Sequence, residues 1–291
     1  MRDDQPSRTA QRVALRRAAH QLLDVPVVFA DPLAVDILGP EAAAALRRNP
    51  RAHEGGPLAP YLRAFLAVRS RVAEEALAEA VANGVRQYVI LGAGLDTFAY
   101  RSPFGPGALR VFEVDHPSTQ EAKRRALAAG GIAIPRDLVY VPLDFATQSL
   151  AARLEESGFD AGAGAMFSWL GVTPYLEPAA VMATLRDIAG AARRGGGVVF
   201  DYAIPRRTLT FRQKLVFDAM AARVAAAGEP WVGFFEPAPL AASLRELGFA
   251  EVSDLDGEAL NRRYFADRAD GLRVGALARL VVARTPPAAT A

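Results

Sequence analysis

Apolar residues recur in two different rhythms along this chain. In the N-terminal part they return every three or four positions, which predicts helices over 7–24 and 58–83, with a short helix near 33–38 between them. The stretch 50–60 is rich in proline and glycine and predicts a loop. From about residue 84 the apolar residues form short runs instead. The chain is therefore predicted to begin with a helical cap and to continue as a different structure.

The short apolar runs are typical of buried strands, and seven of them are present: 86–91, 109–114, 138–143, 165–170, 197–203, 249–255 and 276–284. Helical stretches separate the first five, which makes successive strands parallel through right-handed crossovers. The last two runs lie close enough along the chain to pair antiparallel at one sheet edge. The prediction is an α/β fold, with a seven-stranded, mostly parallel sheet and helices on both faces.

Length and composition favour a single domain of 291 residues, since 51% of them are hydrophobic. We expect its parts to be a cap (1–83), a nucleoside-binding core (84–204), an insertion (205–235) and the C-terminal part of the sheet (236–285). No cysteine is present, which excludes disulfides and sulfur-based zinc sites. No metal-ligand spacing is found, and we expect no metal.

The charges nearly cancel, with 34 basic and 32 acidic residues spread along the chain. This interspersed pattern is typical of a solvated surface, so we expect no nucleic-acid partner. No apolar run is long enough to span a membrane, and the first 20 residues do not resemble a secretory leader. We therefore expect a cytoplasmic protein with no membrane partner.

The candidate site begins where the first predicted strand runs into Gly92, Ala93 and Gly94. Glycines there permit a sharp turn and the close approach of a ligand. The next strand ends at Asp115, whose two carboxylate oxygens can accept hydrogen bonds from both hydroxyls of a ribose. The pattern therefore predicts a nucleoside site, and both a nicotinamide cofactor and S-adenosylmethionine contain such a ribose.

Two further residues discriminate between these cofactors. Thr97 stands at the third glycine position of the dinucleotide motif, and Asp96 lies where a diphosphate would rest. A carboxylate opposes a diphosphate but attracts a sulfonium or ammonium group, which favours S-adenosylmethionine. The third strand ends in Asp144 and Phe145, which can bind the amino group and cover the ring of adenine. A nicotinamide-dependent oxidoreductase and an inactive nucleotide-binding module remain the alternatives.

The sequence resembles the leucine carboxyl methyltransferase-like family of class I S-adenosylmethionine-dependent methyltransferases, especially its bacterial branch of small-molecule O-methyltransferases. The segments that carry the resemblance are SRTAQRVALRRA (7–18), AVRSR (67–71), VILGAGLDTFAYR (89–101), FEVDHPSTQEAKR (112–124), VPLDF (141–145) and FSWLGVTPYLEP (167–178).

This resemblance implies a Rossmann-like class I methyltransferase fold with S-adenosyl-L-methionine as cofactor. It also implies that Arg69, on the long helix, pairs with the methionine carboxylate of that cofactor. A structural ion pair of Arg69 with Asp96 or Asp115 is the alternative. The implied reaction is O-methylation of a small molecule, on a carboxylate or hydroxyl of a secondary metabolite.

No catalytic base is evident in the sequence, and a carboxylate acceptor would not need one. Tyr202, Tyr175 and His116 are the candidates for orienting or deprotonating an acceptor. A bare sheet would leave the site open to water, so 1–24 and 205–235 are predicted to form a lid and an acceptor pocket. The candidate lining residues are Phe211, Phe217, Trp231 and Phe235.

Overall fold

In a computed structural model, which describes residues 8–52, 54–145, 148–226 and 228–287, the core is one seven-stranded sheet. Its strands are β1 (Gln87–Leu91), β2 (Arg110–Asp115), β3 (Leu138–Pro142), β4 (Ala165–Trp169), β5 (Gly196–Asp201), β6 (Glu251–Asp256) and β7 (Arg279–Thr285). They lie in the order β3-β2-β1-β4-β5-β7-β6. β1 to β5 pair in parallel, and β7 runs antiparallel to both β5 and β6. The mostly parallel sheet and the antiparallel edge pair are confirmed.

The helices are α1 (Arg8–Leu23), α2 (Pro40–Arg48), α3 (Ala59–Ala82), α4 (Pro117–Ala129), α5 (Leu150–Glu156), α6 (Pro178–Ala191), α7 (Phe211–Ala225), α8 (Pro237–Glu246) and α9 (Gly257–Tyr264). The predicted helix near 33–38 is only a 3-10 turn, Asp36–Leu38. The sequence prediction missed α2 and α9. Both are short, and each begins from a local signal, a proline in the first turn of α2 and the Asp256 side chain capping α9.

Side chains alternate across the sheet and form two core layers. Tyr88 and Ile90 face a layer that contains α3, whereas Val89 and Leu91 face a layer formed with α5, α6 and α8. The central strands β1, β4 and β5 are buried on both faces, which explains why they appear as continuous apolar runs rather than as alternating ones. The edge strands β3 and β6 are only partly buried. Helices on both faces of the sheet are thereby confirmed.

The cap is anchored by a buried polar cluster where the chain leaves α1. His20 Nε2 accepts the backbone N–H of Val28 at 2.9 Å, so its Nδ1 carries the proton and donates to Asp24 Oδ2 at 2.7 Å. Arg63, in the first turns of α3, donates to both oxygens of Asp24 at 2.7 and 2.8 Å. Burial acts to raise the pKa of Asp24, but the hydrogen bonds from Arg63 and His20 lower it to about 2. The cluster fixes the chain reversal after α1 against α3.

The insertion contains α7, which makes little buried contact with the rest of the protein. Phe217 is the buried residue of this helix, and it packs against Trp231 and Phe234 at ring-centre distances of 5.7 and 5.8 Å. Phe211 is 76% exposed, so it lines no pocket in this structure, and its place in an acceptor pocket stays a prediction. The chain after α7 returns to the sheet, where Phe235 N–H donates to the carbonyl of Ala203 at 2.9 Å.

Among the described residues, no helix is both long enough and apolar enough to cross a membrane. The same residues contain no group of three or more histidine, aspartate or glutamate side chains arranged to hold a metal ion. Residues 1–7 of the predicted cap lie outside the described part of the chain.

Candidate active site

Asp115 joins the ends of β1 and β2. Its Oδ2 accepts the backbone N–H of Gly94 at 2.6 Å, and its Oδ1 accepts the N–H of His116 at 2.7 Å. Burial raises the pKa of Asp115, although these two hydrogen bonds and the charge of Lys123 oppose that shift. Each oxygen keeps a further lone pair, so the carboxylate can still accept from a ribose diol. This geometry fits the predicted nucleoside site.

The glycines beside Asp115 are required by the backbone and lie against other parts of the protein. Gly92 and Gly94 have φ angles of 65° and 48°, which favour glycine, as the predicted sharp turn requires. A Cβ on Gly92 would lie 2.5 Å from Cγ2 of Val172, and one on Gly94 would lie 3.1 Å from Cβ of Ala10. Gly92 therefore gives room to the segment after β4, and Gly94 gives room to α1. The approach of a ligand to this loop stays a prediction.

Asp96 lies in the same loop and has protein partners. Its Oδ2 is 3.3 Å from Nη1 of Arg17 on α1, and its Oδ1 accepts the N–H of Phe98 at 2.8 Å. Burial acts to raise the pKa of Asp96, but the charges of Arg17, Lys123 and Arg101 hold it below its usual value. Arg17 therefore already balances the negative charge of Asp96. The predicted attraction of Asp96 for a cationic ligand stays a prediction.

Asp144 and Phe145 follow β3 beside Asp115. The backbone N–H of Leu143 donates to the carbonyl of Asp115 at 2.9 Å, which ties the two strand ends together. Phe145 is partly buried against the core layer that contains α6. The structure therefore brings the predicted adenine pair next to the predicted ribose acid, and their binding roles stay a prediction.

Arg69 has a partner that the sequence analysis did not single out. Its Nη1 lies 2.9 Å from Oδ2 of Asp201, at the end of β5, and both side chains are buried. Oδ1 of Asp201 accepts the N–H of Gly171, which follows β4. Gly171 has a φ angle of 75°, which favours glycine, and a Cβ there would come within 2.9 Å of both terminal nitrogens of Arg69. The alternative partners proposed for Arg69, Asp96 and Asp115, are therefore wrong.

The three catalytic candidates lie in different environments. The Tyr202 hydroxyl donates to Asp254 on β6 at 2.6 Å, and the side chain is buried in the core. His116 caps α4, and its Nδ1 is paired with the Ser118 hydroxyl at 2.8 Å. The structure thus gives both of these residues local partners.

Tyr175, in the turn after β4, lies near the ion pair of Arg69 and Asp201. Burial raises the pKa of Tyr175, Trp231 acts against that shift through a hydrogen bond to the hydroxyl, and the charges of Glu229, Arg69 and Asp201 also act on it. Of the three candidates, Tyr175 belongs to the turn that is joined to Asp201, because the Thr173 hydroxyl donates to the Asp201 carbonyl at 2.6 Å.

A second buried ion pair supports the end of β2. Lys123 Nζ lies 2.8 Å from Oε2 of Glu113, with both side chains 1% exposed. The Tyr100 hydroxyl lies 3.3 Å from the same oxygen and 2.6 Å from the Tyr140 hydroxyl. Burial raises the pKa of Glu113 to about 7, although Lys123 opposes the shift. Sequence reasoning missed this cluster, because nothing in the spacing of α4 marks its lysine as buried.

Comparison with known proteins decides the family. The model of the leucine carboxyl methyltransferase family matches residues 10–189. The chain belongs to this family. The Bacillus subtilis protein YktD, which carries the name of an S-adenosyl-L-methionine-dependent methyltransferase, is 30% identical over 94% of this chain and 95% of its own length. The similarly named Rv3787c of Mycobacterium tuberculosis is 33% identical over 66% of this chain and 63% of its own.

Solved structures show the same fold. A methyltransferase structure from Thermobifida fusca has a TM-score of 0.58 at 18% identity, over 95% of this chain and 94% of that one. A DUF574 family protein from Streptomyces avermitilis has a TM-score of 0.55 at 16% identity, over 94% and 97%. The Rossmann-like class I methyltransferase fold is confirmed.

Family membership makes the chain a methyltransferase whose cofactor is S-adenosyl-L-methionine. The comparisons support neither the nicotinamide-dependent oxidoreductase nor the inactive nucleotide-binding module. The side chains fit this cofactor, because acids at the ends of β2 and β3 suit a nucleoside and the buried guanidinium of Arg69 suits a carboxylate.

Proposed function

We propose that this methyltransferase methylates an oxygen of a small molecule, a carboxylate or a hydroxyl of a secondary metabolite. The observation that supports this is the position of Tyr175, in the turn whose Thr173 hydroxyl donates to the backbone carbonyl of Asp201 at 2.6 Å. A phenol hydroxyl is protonated at neutral pH, so it can donate a hydrogen bond. A donor beside the ion pair of Arg69 and Asp201 suits an acceptor that presents an oxygen lone pair.

The order of the strands supports a binding mode for the cofactor. From β3 through β2 and β1 to β4 and β5, the strand ends carry the adenine pair, the ribose acid, the glycine loop and the ion pair of Arg69. At about 4.8 Å between strands, these ends span about 19 Å. An extended cofactor can lie across them, with adenine at Asp144 and Phe145, the ribose at Asp115 and the methionine end at Arg69. The glycine loop, which includes Ala93 and Asp96, then lies beneath the middle of the cofactor.

The chemistry divides between cofactor and protein. The bound cofactor supplies a methyl group on a positively charged sulfur. The protein orients the acceptor oxygen, with Tyr175 as donor, and the aromatic residues of the insertion exclude water. A carboxylate acceptor is already ionised at neutral pH, so no proton has to be removed. Holding the two reactants in line can supply several kcal/mol of the barrier reduction.

Replacing Asp115 tests the cofactor site. Asp115→Ala removes charge-assisted hydrogen bonds to the ribose that together contribute about 1.5–3 kcal/mol, so the affinity for S-adenosylhomocysteine should fall about tenfold to a hundredfold in calorimetry. The unliganded protein should also melt at a lower temperature, since Gly94 and His116 lose their acceptor. Unchanged affinity would reject the assignment.

Asp137 provides the matched control. Its carboxylate accepts the N–H of Gly107 at 2.8 Å, beside the opposite end of β3, so Asp137→Ala also removes an acid that holds a loop. This variant should keep its affinity for S-adenosylhomocysteine. A screen of small carboxylic acids, alcohols, amines and carbon nucleophiles, read by mass spectrometry as the gain of one methyl group, tests the reaction. Methylation of nitrogen or carbon acceptors alone would contradict the proposed class.

A further inference from the structure

The ion pair of Arg69 and Asp201 leaves one of its members without a role in the proposed function. Arg69 is assigned to a carboxylate of the cofactor, yet its partner is a buried aspartate on another element. Among the described residues, Arg69 donates a side-chain hydrogen bond through Nη1, to Oδ2 of Asp201. The planar guanidinium has five N–H donors, so a second carboxylate can approach it without displacing Asp201.

Asp201 is held in a fixed orientation. Oδ1 accepts the N–H of Gly171, and the backbone carbonyl of Asp201 accepts the Thr173 hydroxyl at 2.6 Å. These contacts tie the carboxylate to the segment that follows β4. Oδ2, which faces Arg69, keeps lone-pair capacity for a second cationic donor.

The methionine end of the cofactor carries two opposite charges, a carboxylate and an α-ammonium group. Burying a charged group without a partner costs several kcal/mol, so a site that satisfies only the carboxylate leaves the ammonium unfavourable. Arg69 and Asp201 present the complementary pair, one cation and one anion, at adjacent positions. When the carboxylate of the cofactor faces Arg69 and its ammonium group faces Asp201, each of the four charged groups has a neighbour of opposite sign.

We propose that Asp201 holds the α-ammonium group of the cofactor while Arg69 holds its carboxylate. In the absence of the cofactor, each side chain serves as the partner of the other. The proposal rests on the proposed binding mode, in which the methionine end lies at β4 and β5. It makes Asp201 a residue that selects for an intact amino acid end.

Calorimetry with three probes tests this assignment: S-adenosylhomocysteine, its analogue without the amino group and its analogue without the carboxylate. The wild-type protein should bind the analogue without the amino group about tenfold or more weakly than S-adenosylhomocysteine. Asp201→Asn should weaken S-adenosylhomocysteine about tenfold to a hundredfold, and should also weaken the analogue without the carboxylate. It should change the affinity for the analogue without the amino group by less than about threefold.

Asp254→Asn is the matched control, because it removes one partly buried carboxylate at the edge strand β6. It should leave all three affinities unchanged. If Asp201→Asn fails to fold, as judged by its melting curve, Asp201→Glu keeps the charge and should retain the preference for ligands with an amino group.

Two results would overturn the proposal while leaving the cofactor site intact. One is equal binding by the wild-type protein of S-adenosylhomocysteine and of the analogue without the amino group. The other is an equal loss for all three probes in Asp201→Asn, which would show that Asp201 acts only by positioning Arg69. Failure of the wild-type protein to bind any of the probes would instead contradict the proposed binding mode itself.

Discussion

The two segments beside the carboxyl ends of the strands, α1 and α7, are attached to the protein in different ways. The inward face of α1 is buried, and Arg17 reaches from it to Asp31 at 2.7 Å and to Asp96 in the glycine loop. α7 buries Phe217, and its ion pair, Arg206 with Asp218, is exposed. Both helices have a helical spacing of apolar residues, so that spacing alone does not reveal how firmly a helix is held.

What separates the two helices is the burial of their charges. A buried carboxylate such as Asp31 needs several donors, and it receives them from Arg17, Arg101 and the Thr97 hydroxyl. These contacts join α1, the chain reversal after it and the glycine loop into one network. An exposed ion pair contributes at most about 1 kcal/mol. The sequence analysis treated both segments as a lid, whereas this difference makes α1 part of the scaffold and leaves α7 as the candidate for movement.

Removing the buried cation of α1 should have the largest effect. Arg17→Ala leaves Asp31 and Asp96 with one donor fewer, and breaking a buried ion pair typically costs about 3–5 kcal/mol. We therefore expect the free energy of unfolding in urea to fall by about that amount. Arg12→Ala, on the exposed side of the same helix, should change it by less than about 0.5 kcal/mol. An equal loss of unfolding free energy in the two variants would show that α1 is held as weakly as α7.

Acid should weaken the attachment of the cap by a smaller amount. Asp24 has a pKa lowered from 3.8 to about 2, so its contribution is present above pH 3.8 and is lost as the pH falls through about 2. The shift corresponds to about 2 kcal/mol. Asp24→Asn cannot ionise, so its stability deficit relative to the wild-type protein should shrink by about that amount between pH 6 and pH 2. A deficit that does not change with pH would contradict the assignment.

Hydrogen exchange should give the smallest but most direct contrast. Amides of α1 should already be strongly protected without ligand, because that helix is buried. Amides of α7 should exchange rapidly and become about tenfold slower when S-adenosylhomocysteine binds, if the insertion closes over the site. If the amides of α7 are already as strongly protected without ligand as those of α1, both segments belong to the rigid scaffold.

The sequence predicted β1, β4, β5 and β7 well because each is an apolar run that is buried on both faces. It placed Asp115 beside the glycine loop because the ends of parallel strands meet at one edge of the sheet. It did not predict the partner of Arg69, because Asp201 is 132 positions away and neither periodicity nor a motif links the two. The contact of Gly94 with Ala10 was missed likewise, since it depends on how the cap is placed.

The burial of Lys123 against Glu113 has a practical consequence. The chain has two lysines and no cysteine, and Lys214, on α7, is the one that is not buried. Among side chains, an amine-reactive dye would therefore attach at a single position, on the helix whose movement is in question. A cysteine introduced on α1 would be the only thiol, and a second dye placed there would allow the distance between the two helices to be followed by energy transfer.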